Sequence, residues 1–481
     1  MSAPNFPDGV SRYAADEHDL DTYAQAENDL AKMRVPLLRQ TDDPNSKLFV
    51  AYFDGTGNDA GNPHKGVTNV AHLYRATAGV AADDTSLGTF YLRGPGTQEN
   101  DAVAAWDGAR GSSYDARLET MYYEFCSKAG QWLRENPDSR ISLANVGFSR
   151  GAEQAAGFAR MVAERGIEDV SKAEVVRNSE GLIVKARYPA PPLQPPGQVA
   201  QAELLFDPVG TGIPYRRDRR PPPQVLTGLQ ITAEDERRDL FLGTHILDPG
   251  FTHDGRFLNV TVGGCHSDIG GSYREDGLAR RSYNLGVDFL NALSDRPFLH
   301  KQHLRPDLDV VHRSVEHSRG YDDDLYRANE RRGLPEHLRR GHVEAIGGRP
   351  ADRSAQARDA EPIDRELDAA FPRRRVEIRP VPETPSQFRD RAPARERNDL
   401  QPEAPAPDFL RRLLKPFADA DTDPQTRRAA LQAYLDSPQG QAFAAEVEAR
   451  SQAAREAEAA QRAQPVALAE QHAPRVRALA M

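Results

Sequence analysis

Cysteine occurs only twice in 481 residues, at Cys126 and Cys265. Two thiols give no disulfide framework, so the fold has to be held by its core, and both read as reduced, buried cysteines. No run of about 18 apolar residues exists, so no segment is expected to span a membrane. The start, "MSAPNFPDGVSRYAADEHDLD", is acidic and lacks an apolar centre, which argues against a signal peptide. Hydrophobic residues make up 38% of the chain and mean hydropathy is −0.67, low enough to imply that part of it is unpacked. The net charge of −10 argues against nucleic acid as a partner but leaves membrane contact open through a local patch.

Against these absences stands a patterned middle. Residues 1–45 are polar, with a helix expected near 16–33. The stretch 46–300 alternates short apolar runs with helical ones. Strands are expected at 47–53, 86–92, 141–146, 202–206 and 256–262, and helices at 69–77, 115–136, 151–165 and 284–293. Strands alternating with helices imply an α/β fold with a mostly parallel sheet flanked by helices. The Pro-rich stretch 186–224 reads as surface loops around one short strand. Residues 301–347 form a charged extension, and 348–408, rich in Arg, Asp, Glu and Pro, read as a disordered linker. In 409–481, Asp423-Pro424 and Ser437-Pro438 each set an N-cap before a first-turn proline, giving a helical C-terminal tail.

In open parallel sheets, ligands bind beyond the carboxyl ends of the strands. Those ends carry "DGTGND" (54–59), "GFSRG" (147–151), "DPVGTG" (207–212) and "GGCHSDIGG" (263–271). Gly147-x-Ser149-x-Gly151 after an apolar run and before a helical one has the strand–turn–helix setting of a nucleophile elbow. Serine becomes nucleophilic when an imidazole takes its proton, and the imidazole needs a carboxylate to hold its tautomer. Ser149, Asp207 and His266 follow one another in the chain order of α/β-hydrolase triads, each just after an expected strand. The oxyanion donors would be the Arg150 N–H and the loop at Gly55 and Thr56. Asp54 and Asp268 are candidates for supporting roles. Plainer readings compete: Asp54 and Asp207 as turn aspartates, His266 as a surface residue. The glycine-rich turns match neither phosphate-loop pattern. His266 and Asp268 lack an evident third ligand, so no metal and no cofactor is expected.

The ordered set "FDGTGN" (53–58), "GFSRGA" (147–152), "LFDPVGTG" (205–212) and "CHSDIGGSY" (265–273) resembles the type VI secretion lipase effectors of the first class, over about residues 47–290. The resemblance implies an α/β-hydrolase fold with Ser149 as nucleophile and His266 as general base. Asp207 sits where the family reads W-D-T-V-G; here Phe206 and Pro208 replace its Trp and Thr, and Asp248 in "HILDPG" is the alternative acid. The resemblance further implies membrane phospholipid as substrate, an immunity protein and a secretion adaptor or spike protein as partners, and a chain made in the cytoplasm for export by a contact-dependent machine. Two other readings stand beside it: a resident cytoplasmic hydrolase of small esters, and a catalytically silent interaction module.

Overall fold

The computed structural model describes residues 7–61, 66–97, 113–210, 217–238, 241, 243–314, 316, 343–344 and 360–383. The tail read as helical, 409–481, lies outside them.

After β1 (Arg12–Ala14), α1 (Glu17–Leu30) and β2 (Arg34–Pro36), the chain enters the sheet through β3 (Ser46–Phe53), α2 (Asn69–Ala81) and β4 (Leu87–Leu92). It continues through α3 (Tyr114–Glu135), β5 (Arg140–Phe148) and α4 (Arg150–Arg165) to the hairpin β6 (Glu174–Arg177) and β7 (Ile183–Arg187). Then come β8 (Ala200–Phe206), β9 (Val225–Ala233), β10 (Gly243–Thr244), β11 (Gly250–Phe251) and β12 (Phe257–Val262). A short α5 (His266–Gly270) and a longer α6 (Gly277–Ala292) follow, then β13 (Val310–His312), β14 (Val343–Glu344), α7 (Arg365–Ala369) and β15 (Arg373–Arg375).

Seven strands form one sheet in the order β11-β12-β9-β8-β5-β3-β4, parallel except for the edge strand β11. Its inner strands are buried on both faces, as parallel strands covered by crossover helices must be. Along β5, Ala144, Val146 and Phe148 join the core beneath α1, α2 and α6, while Ile141 and Leu143 join the core beneath α3 and α4. The alternation comes from the two-residue repeat of the strand, and it makes three layers. From β3 the chain runs outward to β4 and then returns to β5 on the other side of β3. The β3 and β5 ends therefore flank a switch point, where such sheets open a crevice. This is an α/β-hydrolase-like architecture.

Two features depart from the sequence reading. β9 was not expected, yet all nine of its residues are buried. Its apolar run is broken by Thr227, Gly228, Gln230 and Thr232, and it follows three prolines, so it reads as loop. Gln230 and Thr232 find partners in place: Gln230 Nε2 donates to the Thr244 carbonyl, Leu247 N–H donates to Gln230 Oε1, and Thr232 Oγ1 donates to Asn259 Oδ1. Second, residues 360–383, inside the stretch read as a disordered linker, pack on the body. Asp364 caps α7 through the Leu367 N–H, and β15 pairs antiparallel with β2, with Val376 buried. Ile363, Leu367, Phe371 and Ile378 lie against the core, an apolar set spaced too widely among arginines and acids to register in composition. At the other end, β1 pairs antiparallel with β13, and β10 pairs in parallel with β14.

Candidate active site

β5 ends at Phe148, and Ser149 turns the chain into α4 with φ 58° and ψ −128°. That conformation is costly for a residue with a Cβ, by about 1–3 kcal/mol, and persists only where the surroundings enforce it. The two flanking glycines are part of that enforcement. A Cβ on Gly147 would stand 2.4 Å from the Gly151 carbonyl oxygen, and one on Gly151 would stand 2.2 Å from the Phe53 carbonyl oxygen. The Ser149 backbone is pinned to the neighbouring strand, its N–H donating to the Phe206 carbonyl at 3.0 Å. Its side chain caps nothing in α4.

Asp207 follows β8 and also holds a positive φ, 37°. It is fully buried. Oδ1 accepts the Ala233 N–H at 2.9 Å and Oδ2 lies 2.6 Å from His266 Nδ1. Of the three non-glycine residues with positive φ among those described, two are thus Ser149 and Asp207; the third is Ser272. Asp248, the alternative acid, sits half-buried before the edge strand β11.

His266 opens α5 and is 3% exposed. Its ring is tilted against Phe148, centroids 4.5 Å apart, and meets Phe241 edge-on at 5.1 Å. Burial lowers the imidazole pKa from its ordinary value, against the opposing pull of Asp207, so the ring is neutral near pH 7. With Nδ1 facing a carboxylate, the proton of the neutral ring resides on Nδ1 and Nε2 keeps a lone pair for a substrate-side donor.

The loop after β3 is braced by Asp54. Its carboxylate accepts from Thr68 Oγ1 at 2.9 Å, from Tyr91 OH at 2.5 Å and from the Gly55 N–H at 2.7 Å, and burial raises its pKa to about 6. The Gly55 N–H, one of the expected oxyanion donors, is therefore engaged by Asp54. Thr56 Oγ1 is buried with no hydrogen-bond partner, which leaves a donor in the same loop. Gly55 and Gly270 both abut the Phe148 ring, so one aromatic side chain spaces the β3 loop, the Ser149 elbow and the His266 turn. Arg150 is the first residue of α4, adjacent to Ser149.

Asp268 does not face this crevice. Oδ2 accepts the Cys265 and His312 N–H groups, and Oδ1 lies 2.6 Å from His312 Nδ1. It ties the His266 turn to β13. Glu236 was not anticipated from sequence: it accepts the His266 N–H, is held by Ser314, and chelates Arg238, whose guanidinium stacks on Phe241. Glu153 and Arg219 form a fully buried ion pair at 2.5 Å in the first turn of α4. A separate cleft beside edge strand β4, lined by Tyr74, Phe90 and Lys128, holds none of these residues.

Residues 47–187 match the family model described as T6SS, Phospholipase effector Tle1-like, catalytic domain. That segment is similar to the Tle1-like catalytic domain. The match takes in Asp54 and Ser149 and ends before Asp207 and His266. Among solved structures, the Tle1 effector bound to the VgrG spike is 22% identical, over 47% of this chain and 51% of that one, with a TM-score of 0.30. An uncharacterized protein from Pseudomonas aeruginosa is 17% identical over 67% and 54% of the two chains, with a TM-score of 0.35. Esterase 2 of Thermogutta terrifontis is 13% identical over 60% and 97%, with a TM-score of 0.25. The alignments to the first two thus span about half the length of those chains. No curated protein matches.

Proposed function

We propose that this protein is a serine hydrolase of phospholipid acyl esters, working through Ser149, His266 and Asp207. The observation that carries the reading is the 2.6 Å Asp207–His266 contact beside a serine held at positive φ on a strand–turn–helix elbow. The Tle1-like match over 47–187 supports the substrate class.

In the reaction, His266 Nε2 takes the Ser149 proton as Oγ adds to the ester carbonyl. The negative charge that develops on the carbonyl oxygen is met by the Arg150 N–H at the start of α4 and by Thr56, with Asp54 holding the loop. Asp207 keeps the imidazole in its tautomer and stabilises the imidazolium. His266 then gives its proton to the departing lysolipid oxygen. Water, deprotonated by the same histidine, releases the fatty acid and restores Ser149. As a type VI effector the protein would be carried to a rival bacterium with a spike or adaptor protein, and an immunity protein would guard the producer.

The test is fatty-acid release from mixed phospholipid vesicles by wild type beside Ser149→Ala. Release by wild type alone is expected. Equal release by both removes Ser149 from the mechanism, and release by neither, with a short-chain ester still cleaved by wild type, removes the lipid. Directed to the periplasm of a sensitive bacterium, wild type and not Ser149→Ala should arrest growth.

A further inference from the structure

Behind the His266 turn, three side chains from distant parts of the chain converge: Asp8, Glu275 and His312, with one ligand atom of each within 4.8 Å of the others. His312 is the informative member. Its side chain is wholly buried, Nδ1 is held by Asp268 at 2.6 Å, and Nε2 is buried with no hydrogen bond. Nε2 instead faces Asp8 Oδ2 across 3.4 Å without hydrogen-bond geometry.

Nε2 and a carboxylate oxygen facing each other in a buried space need something positive between them, a ring proton or a metal ion. Two donors each about 2.1 Å from a tetrahedral Zn2+ stand about 3.4 Å apart, which is the separation observed. We propose that Asp8, Glu275 and His312 form a binding site for a first-row divalent cation, with Zn2+ or Mn2+ the best match to one imidazole and two carboxylates.

The surroundings fit this assignment. Asp8 is aimed by the N–H groups of Arg274 and Glu275, at 2.7 and 3.1 Å, and each of its oxygens keeps a further lone pair. Asp268 on Nδ1 supplies the carboxylate–histidine–metal relay that fixes the tautomer and raises the basicity of the ligating nitrogen. The local charge fits too. Two carboxylates, those of Asp8 and Glu275, meet one imidazole, and Arg12 binds Glu275 through Oε2. Tyr273 stacks on the His312 ring, centroids 4.0 Å apart, and closes one side. The same Asp268 accepts the N–H of Cys265, next to His266. A cation here joins the N-terminal segment, the loop before α6 and β13 to the backbone that carries His266.

The experiment uses tag-free full-length protein, stripped with a chelator and titrated with Zn2+, Mn2+ and Ca2+ by calorimetry and by metal analysis after dialysis. One equivalent of Zn2+ or Mn2+ is expected at micromolar free concentration, with a raised Tm and weaker binding of Ca2+. Asp8→Asn and Glu275→Gln should each weaken binding by at least about tenfold. The His312 Nε2 resonance of 15N-labelled protein should shift on binding. If Asp8→Asn fails to fold by circular dichroism, Glu275→Gln and the Nε2 shift carry the test. No stoichiometric uptake, uptake unchanged in every folded variant, or a His312 ring that carries protons on both nitrogens and ignores added metal would each overturn the site.

Discussion

Replacing Asp207 by asparagine isolates one carboxylate charge without changing the side chain's shape. Oδ1 accepts the Ala233 N–H and Oδ2 faces His266 Nδ1. Asparagine has one oxygen and one NH2 for these two places. With the oxygen toward Ala233, both contacts survive, but the NH2 then donates to Nδ1. The ring proton moves to Nε2, and the lone pair that should accept the Ser149 proton is gone. The flipped amide keeps the working tautomer but sets the NH2 against the Ala233 N–H. An unsatisfied buried donor there costs about 1–3 kcal/mol. Either orientation also forfeits the carboxylate's stabilisation of the imidazolium. Together these should lower turnover by about 10⁴, as in other triads, or about 5 kcal/mol of barrier. The assay is steady-state hydrolysis of a soluble p-nitrophenyl ester, with Tm as the fold control and Asp248→Asn beside it. Turnover of Asp207→Asn within tenfold of wild type would refute the reasoning, and a large loss in Asp248→Asn would move the acid to the edge strand.

Ser149→Gly should raise stability by about 1 kcal/mol by relieving the positive φ while abolishing fluorophosphonate labelling; a destabilised variant would mean the elbow stores no strain. Because burial lowers the His266 pKa, turnover should be lost as pH falls through a value below about 6.5. Stability should follow the same sign, present above the unfolded histidine pKa and lost as the ring must charge at lower pH. Phe241→Ala opens the ring to water and should move the acid limb of the rate profile upward; an unmoved limb would show that Phe241 does not desolvate His266. Arg219→Ala leaves Glu153 charged and buried, at a cost of about 3–5 kcal/mol, read as a fall in the denaturant midpoint. Arg219→Ala with Glu153→Gln should recover much of that loss, and no recovery would mean Arg219 acts through packing.

The parallel sheet was legible because β3, β5, β8 and β12 are short, mostly apolar runs, each closed by a glycine-containing turn. β9 was not, because Gln230 and Thr232 are buried against partners that only the fold brings near. Ser149, Asp207 and His266 stood out by position, each just after such a strand, and the structure brings Asp207 and His266 into contact. Their surroundings did not stand out. Phe148 reads as an ordinary strand residue, and its place between Gly55, Gly270 and His266 is a fact of three dimensions. Gly55 was read as an oxyanion donor, yet its N–H turns to its own neighbour Asp54, an Asx-type contact that spacing does not reveal. Asp8, Glu275 and His312 are separated by more than 300 residues end to end, so no local pattern joins them.

The pairings of β1 with β13 and β2 with β15 also set an order of assembly. The N-terminal strands are made first and find their partners only when residues 310–312 and 373–375 have been synthesised. The turn bearing His266 waits as well, since its Asp268 brace docks on His312. At ordinary rates of synthesis the interval from His266 to Arg375 is about 5–20 s. A ribosome therefore releases the crevice as a finished shape only near the end of the described body. A chain cut short before residue 310 would hold the serine and the histidine and still lack the wall behind them.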